Sequence, residues 1–133
     1  MPQIRIQEAA GLLGVSDDTV RRWAEAGRLE VTRSGSGRLV VDGAALARLA
    51  QEAADAPSPG RIVGASARNR MRGIVTRVVR DTVMAQVELQ AGPFRVVSLM
   101  SREAADELAL QPGVVAVASV KSTQVVVELP ETR

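Results

Sequence analysis

Hydrophobic residues in the first 54 positions recur at helical spacing, and beyond position 65 they alternate with polar ones. Ile6, Ala9, Ala10 and Leu13 share one face of a helix running through 5–14, which Gly14 would close. Ser16 is an N-cap residue, Asp17 and Asp18 suit the first turn behind it, and Gly27 is a stop. A second helix is therefore predicted from 16 to about 26. Val20 and Trp23 turn its apolar side to the first helix and leave Thr19, Arg21, Arg22 and Glu25 outward. Strand-like 29–31 and 39–41 flank a Gly/Ser-rich tip at 33–38, forming a wing. A third helix over 42–54, capped by Asp42, carries Ala45, Leu46, Leu49 and Ala53.

Residues 55–60 combine Asp, Ala, Pro, Ser and Gly with no period, the mark of a semi-rigid linker. The expected organisation is a first domain over 1–54, a linker over 55–65 and a second domain over 66–133. In the second, 74–79 reads as a strand. Val83, Ala85, Val87 and Leu89 then alternate with Thr82, Met84, Gln86 and Glu88, so one face is buried and the other wet. Arg80-Asp81 and Ala91-Gly92-Pro93 supply turns, 94–99, 114–120 and 124–129 supply three more strands, and 101–108 a short helix. Five strands with one helix suit an OB-type barrel, whose closure removes sheet edges. The fold class expected is α+β in two domains: a winged helix-turn-helix, then a five-stranded OB-type barrel.

Composition narrows the chemistry. The chain has no Cys and no His, which removes disulfides, thiolate nucleophiles, imidazole bases and most zinc or copper sites, so no bare metal cation is expected. With no base, nucleophile or metal cluster visible, the chain is not expected to be an enzyme. Aromatic residues are only 2%, so the cores rest on Val, Leu, Ile and Ala, and stability is expected to lean on oligomerisation or ligand. Nothing resembles a signal sequence or a membrane span, and a cytoplasmic location is expected.

The first domain points to double-stranded DNA. Two helices joined by a Gly-containing turn form a helix-turn-helix, whose second helix enters the major groove. Ser16, Thr19, Arg21 and Arg22 lie on that helix, and Arg33, Ser36 and Arg38 on the wing tip, where they would meet phosphates beside the groove. Residues 1–56 hold 7 Arg against 8 Asp plus Glu, so the basic positions are local, and Asp17 and Asp18 lower the affinity expected of a single copy. Gly14-Val15-Ser16, Thr19-Val20-Arg21-Arg22-Trp23 and Ala26-Gly27-Arg28-Leu29 resemble the MerR and excisionase-like winged helix-turn-helix family.

The second domain carries two donor-rich stretches, Ser66-Ala67-Arg68-Asn69 running on to Arg72-Gly73, and Lys121-Ser122-Thr123, which contains the only Lys. Hydroxyl, cationic and amide donors with no obvious acceptor are the equipment for a tetrahedral oxyanion. A Walker-type phosphate loop is excluded, because no Lys follows its glycines. From 66 to about 130 this pair of stretches resembles the Mop or TOBE domain, the molybdate- and tungstate-binding module of molbindins and molybdate-responsive transcription factors.

The resemblance implies an oxyanion, molybdate or tungstate, held between two Mop units of a homo-oligomer, a dimer or a hexamer. Ser66, Ala67, Arg68, Asn69, Lys121, Ser122 and Thr123 would come from one subunit. Ser101 and Arg102, at the start of the short helix, would come from the other. Two positions depart from the family pattern: Ser122 stands where Ala is common, and Ala104 where a hydroxyl residue often follows the helix start. The combined reading is a molybdate- or tungstate-responsive DNA-binding transcriptional regulator. A molbindin of storage and homeostasis, or an excisionase-like DNA binder oligomerised by the barrel, are the alternatives.

Overall fold

A computed structural model describes residues 2–56 and 58–131; Met1, Pro57, Thr132 and Arg133, which fall in the expected first domain, linker and second domain, lie outside them. The chain divides into two compact units, one ending at Asp55 and the other beginning at Ala56.

In the first unit, β1 (Gln3–Arg5) leads into α1 (Ile6–Leu13), which ends where Gly14 adopts the left-handed conformation at φ 68°. A glycine there relieves the steric penalty of the helix-terminating turn. Next comes α2 (Asp17–Glu25), where Ser16 Oγ accepts the Thr19 N–H at 3.1 Å as an N-cap. The hairpin of β2 (Val31–Arg33) and β3 (Leu39–Asp42) follows, and α3 (Gly43–Ala53) closes the unit, with the Asp42 carboxylate accepting the Ala45 N–H at 3.1 Å. Ile6, Ala9, Ala10, Val20, Leu29, Val41, Leu46 and Leu49 form its core, with Trp23 and Leu13 packed against them.

Two details differ from the sequence reading. The first wing strand begins at Val31, two positions late, because Leu29 is drawn into the core at 2% exposure instead of entering the sheet. β1 was not anticipated: it pairs with β3, Ile4 opposite Val41, giving the sheet order β1-β3-β2.

The second unit is built on β4 (Asn69–Arg80), β5 (Met84–Ala91), β6 (Phe94–Ser101) and β7 (Val115–Val120), all antiparallel in the order β6-β5-β4-β7. β4 is twice the length expected and is bulged between Val75 and Arg77. Gly73 is required by β5: a Cβ at this position would strike the Gln90 carbonyl and lie 3.1 Å from Ala91 Cα. The β5–β6 hairpin turns through Gly92 at φ 58° and Pro93, with glycine at the first central position as a type II′ turn prefers. After β6, Ser101 Oγ accepts the Ala104 N–H at 3.1 Å and starts α4 (Arg102–Glu107), which drops Ala105 into the core beside Val75, Ala85, Val87, Leu89 and Leu110.

Three expectations for this unit are corrected. Glu88, expected on the wet face, is buried at 8% exposure, where its carboxylate pairs with Arg77 and Arg95. Val83 is 66% exposed, because it sits in a turn that Asp81 holds, its carboxylate accepting the Val83 and Met84 N–H groups at 2.8 and 2.6 Å. More consequentially, four strands form rather than five. Residues 124–129 make no strand: a single 3-10 turn, Ser122–Gln124, follows β7, and the chain beyond it pairs with no strand of its own sheet. A period-two pattern needs a partner to become a strand, and although β6 and β7 each have a free edge this segment pairs with neither. The fold class is nonetheless the one expected, a helix-turn-helix followed by an OB-type antiparallel sheet with one short helix.

Candidate functional site

The antiparallel pairing of β4 with β7 brings the two donor-rich stretches together. Asn69 stands opposite Val120, and its side-chain amide donates to the Val120 carbonyl at 3.1 Å. Arg68 and Lys121 directly adjoin this last pair of the ladder, and Ser66 and the Ser122–Gln124 3-10 turn lie just beyond it, outside the paired register. Ala67 is buried at 9% exposure and anchors the first stretch, while Ser66, Arg68, Asn69 and all of 121–123 are exposed. Among the described residues neither Arg68 nor Lys121 makes an ion pair or side-chain hydrogen bond, so both cationic heads remain available. The first N–H groups of the 3-10 turn at Ser122 and Thr123 add backbone donors, since such groups have no intrahelical partner.

The surroundings are cationic over a wider span than the two motifs. No Asp or Glu occurs from 56 to 80 or from 108 to 127, and the near part of the first span carries Arg61, Arg68, Arg70 and Arg72; Arg77 and Arg80, farther along β4, are paired with Glu88 and Asp106. Arg70, one residue into β4 and opposite Ser119, belongs to the first donor-rich stretch but was not among the residues assigned to the site. The gap in acidic residues was the available signal. A patch of donors from which carboxylates are absent favours an anion that brings no proton of its own.

Ser101 and Arg102 lie elsewhere in the chain. Ser101 pairs with Met84 beside the Arg80 end of β4, and Asn69 is at the other end. The contour between them is roughly 35 Å along β4 at the usual rise per residue. Both are also engaged locally: Ser101 caps α4, and Arg102 donates to the Asp81 carbonyl at 3.2 Å and pairs with Asp106 at 3.6 Å. Within one chain they do not join Ser66, Arg68 and Lys121.

On the first unit, the exposed side of α2 is a connected polar strip. Arg22 donates to Thr19 Oγ1 at 3.1 Å, Thr19 Oγ1 is 3.0 Å from Ser16 Oγ, and Arg21 reaches Asp18 at 3.9 Å. At the wing tip Arg33 donates to the Gly37 carbonyl at 2.8 Å and Ser34 meets Ser36 at 2.8 Å, so the turn is braced by side chains; Arg38 is exposed beside it. Arg28 stacks over the Trp23 ring at 5.8 Å and faces Glu52, so Trp23 packs on the core with one face and carries a cation on the other. Among the described residues no three His, Cys, Asp or Glu side chains gather as a metal site, and no helix is long and apolar enough to cross a membrane.

Comparison with known proteins agrees with this division. Residues 65–127 match the TOBE domain and residues 4–54 a helix-turn-helix domain. Among solved structures, MopII from Clostridium pasteurianum is similar at 33% identity, covering 50% of this chain and 100% of that one, with a TM-score of 0.47. A molybdate-binding protein from Sporomusa ovata is similar at 28% identity, with the same coverages and a TM-score of 0.49. Among curated proteins no significant match is found.

Proposed function

This chain is a helix-turn-helix domain joined to a TOBE domain, and on that premise we propose that it is a DNA-binding transcriptional regulator that responds to molybdate or tungstate. The observation that carries the reading is the pairing of Asn69 with Val120, which brings Arg68 and Lys121 close together from two stretches of sequence that hold no Asp or Glu. Molybdate and tungstate are dianions at neutral pH and accept hydrogen bonds at every oxygen. Phosphate keeps a proton that needs an acceptor, and a donor-only site offers it none, so selectivity follows from hydrogen-bond chemistry.

In this reading Ser66, Arg68, Lys121 and the backbone N–H groups of Ser122 and Thr123 hold the oxyanion from one subunit. The Ser101–Arg102 end of a second copy closes the site, because within one chain that end is too distant. Arg21 and Arg22 face the major groove, and Arg33 and Arg38 meet the flanking phosphates. Protein, oxyanion and DNA are all soluble components of the cytoplasm in this scheme.

Isothermal titration with molybdate, tungstate, sulfate and phosphate tests the ligand. Binding of the first two, lost in Arg68→Ala, is expected, with no heat from phosphate; at 100 times its dissociation constant the ligand should stabilise the fold by about 2.7 kcal/mol. Equal responses to molybdate and phosphate would refute it. Gel shift on duplexes selected from random sequence separates a regulator from a storage protein, since the latter retards none of them.

A further inference from the structure

We infer that Arg80, which lies outside both donor-rich stretches, is a positioning residue for the oxyanion site: it fixes the short helix that presents Ser101. The inference rests on the reading above, in which the Ser101 end of one copy closes the site that Ser66, Arg68 and Lys121 form in another. α4 cannot hold that end in place by itself. It has six residues and buries only Ala105, and a helix so short is not stable on its own. Its direction has to come from tethers to the sheet.

Arg80 supplies two tethers from a single guanidinium. Its Nε donates to Asp106 Oδ1 at 2.9 Å, and its Nη2 donates to the Leu110 carbonyl at 2.7 Å. One acceptor lies on α4 and the other just past its end, so the fork pins the helix to the last residue of β4. At 29% side-chain exposure Arg80 is the least exposed of the ion-paired arginines among the described residues, so water screens this pair least. Asp106 Oδ2 in turn lies 3.6 Å from Arg102 Nε. Arg102 also donates to the Asp81 carbonyl at 3.2 Å, and its backbone N–H to the Val83 carbonyl at 2.8 Å. The contacts therefore run from Arg80 through Asp106 and Arg102 to the residue beside Ser101. Ser101 Oγ accepts the Ala104 N–H at 3.1 Å, which leaves its hydroxyl proton free to donate. Where that hydroxyl stands depends on how α4 is held. Arg80 also answers a charge. α4 contains Glu103, Asp106 and Glu107, a poor setting for a dianion, and Asp106 is the carboxylate that two guanidiniums meet.

Isothermal titration of molybdate into the full chain reads the effect. Arg80→Gln should weaken binding by roughly 10- to 100-fold, the range found when a group that orients a ligating residue is removed. Arg80→Lys should not rescue it, because one ammonium cannot reproduce the fork onto Asp106 and Leu110. Affinity for a selected duplex without molybdate should not change. If wild type binds molybdate and Arg80→Gln binds it equally well, the inference alone is overturned; if wild type binds none, the reading it rests on falls with it. A mixing experiment separates positioning from general damage. Arg80→Gln is defective at the closing end and Arg68→Ala at the donor end. In a pair made of one chain of each kind, one site then carries both defects and the other carries neither. Co-refolded mixtures should therefore recover wild-type affinity at one of the two sites of each mixed pair. A mixture that binds no better than its separate components would put the Arg80 defect in its own chain's donor stretches or in the fold at large, and would overturn the inference.

Discussion

In the first unit eight buried residues drawn from three helices, the sheet and one loop close on each other, and among the described residues only Leu12 and Leu39 are exposed large apolar side chains. Among the described residues of the second unit the core cluster has six buried residues, while sixteen large apolar side chains, Ile62 to Leu129, are exposed at 36% or more. Both sequences have enough Val, Leu, Ile and Ala, so the difference lies in how each chain is closed. The helices of the first unit cover its small sheet from within the same 55 residues. The second unit is an open sheet with one six-residue helix over it, and among the described residues many of its large apolar side chains stay exposed. One unit covers its apolar surface within its own residues; the other leaves much of it exposed.

The sharpest contrast comes from large-to-small substitutions in the two units. Leu49→Ala, at 3% exposure, should cost about 2–5 kcal/mol in urea denaturation at any protein concentration, because the cavity lies inside one chain. Val127→Ala, at 85% exposure, should cost almost nothing at dilution and progressively more as concentration rises. Equal, concentration-independent effects would erase the distinction between the units. Gly73→Ala comes next: the added methyl strikes the Gln90 backbone, and an overpacking penalty of roughly 1–3 kcal/mol is expected in the second unit's thermal transition alone. Ser16→Ala should act only on the first, removing the cap of α2 for about 1 kcal/mol.

The smallest effect concerns pH. The Val83 and Met84 N–H groups hold the Asp81 carboxyl below its ordinary value of 3.8, Met84 contributing most. A carboxylate with a lowered folded value stabilises above 3.8, and that stability is lost as pH falls through the folded value. Wild type should therefore melt higher than Asp81→Asn at neutral pH, with the gap closing in acid. A gap independent of pH would remove charge from the explanation of this turn.

Local signals were legible where local chemistry decides the structure. Gly14, Ser16, Asp42 and Ser101 act as the caps their residue types announce, and Gly92 turns the hairpin it was assigned. What escaped depends on partners remote in sequence. β1 is three residues whose only reason to be a strand is β3, some 37 positions on; Leu29 follows a helix stop and looks strand-like, yet the core claims it. The segment 124–129 alternates as a strand should, but it pairs with neither free edge of its own sheet. The neighbourhood of Ser66 and Lys121 was read from motifs, and the register Asn69–Val120 is the physical reason those motifs occur together. The distance of Ser101 from them is a property of the sheet that no short motif encodes.

The central claim is that oxyanion binding and DNA binding are coupled in one molecule, and any such coupling is reciprocal, each ligand altering the affinity of the other by the same factor. The direct measurement is the dissociation constant for a selected duplex at fixed salt, with and without saturating molybdate, on wild type and on Arg68→Ala. A shift of about 5- to 150-fold in wild type, absent in Arg68→Ala, is the predicted result. A wild-type affinity that molybdate leaves unchanged would contradict the account and reduce the chain to two separate binding activities.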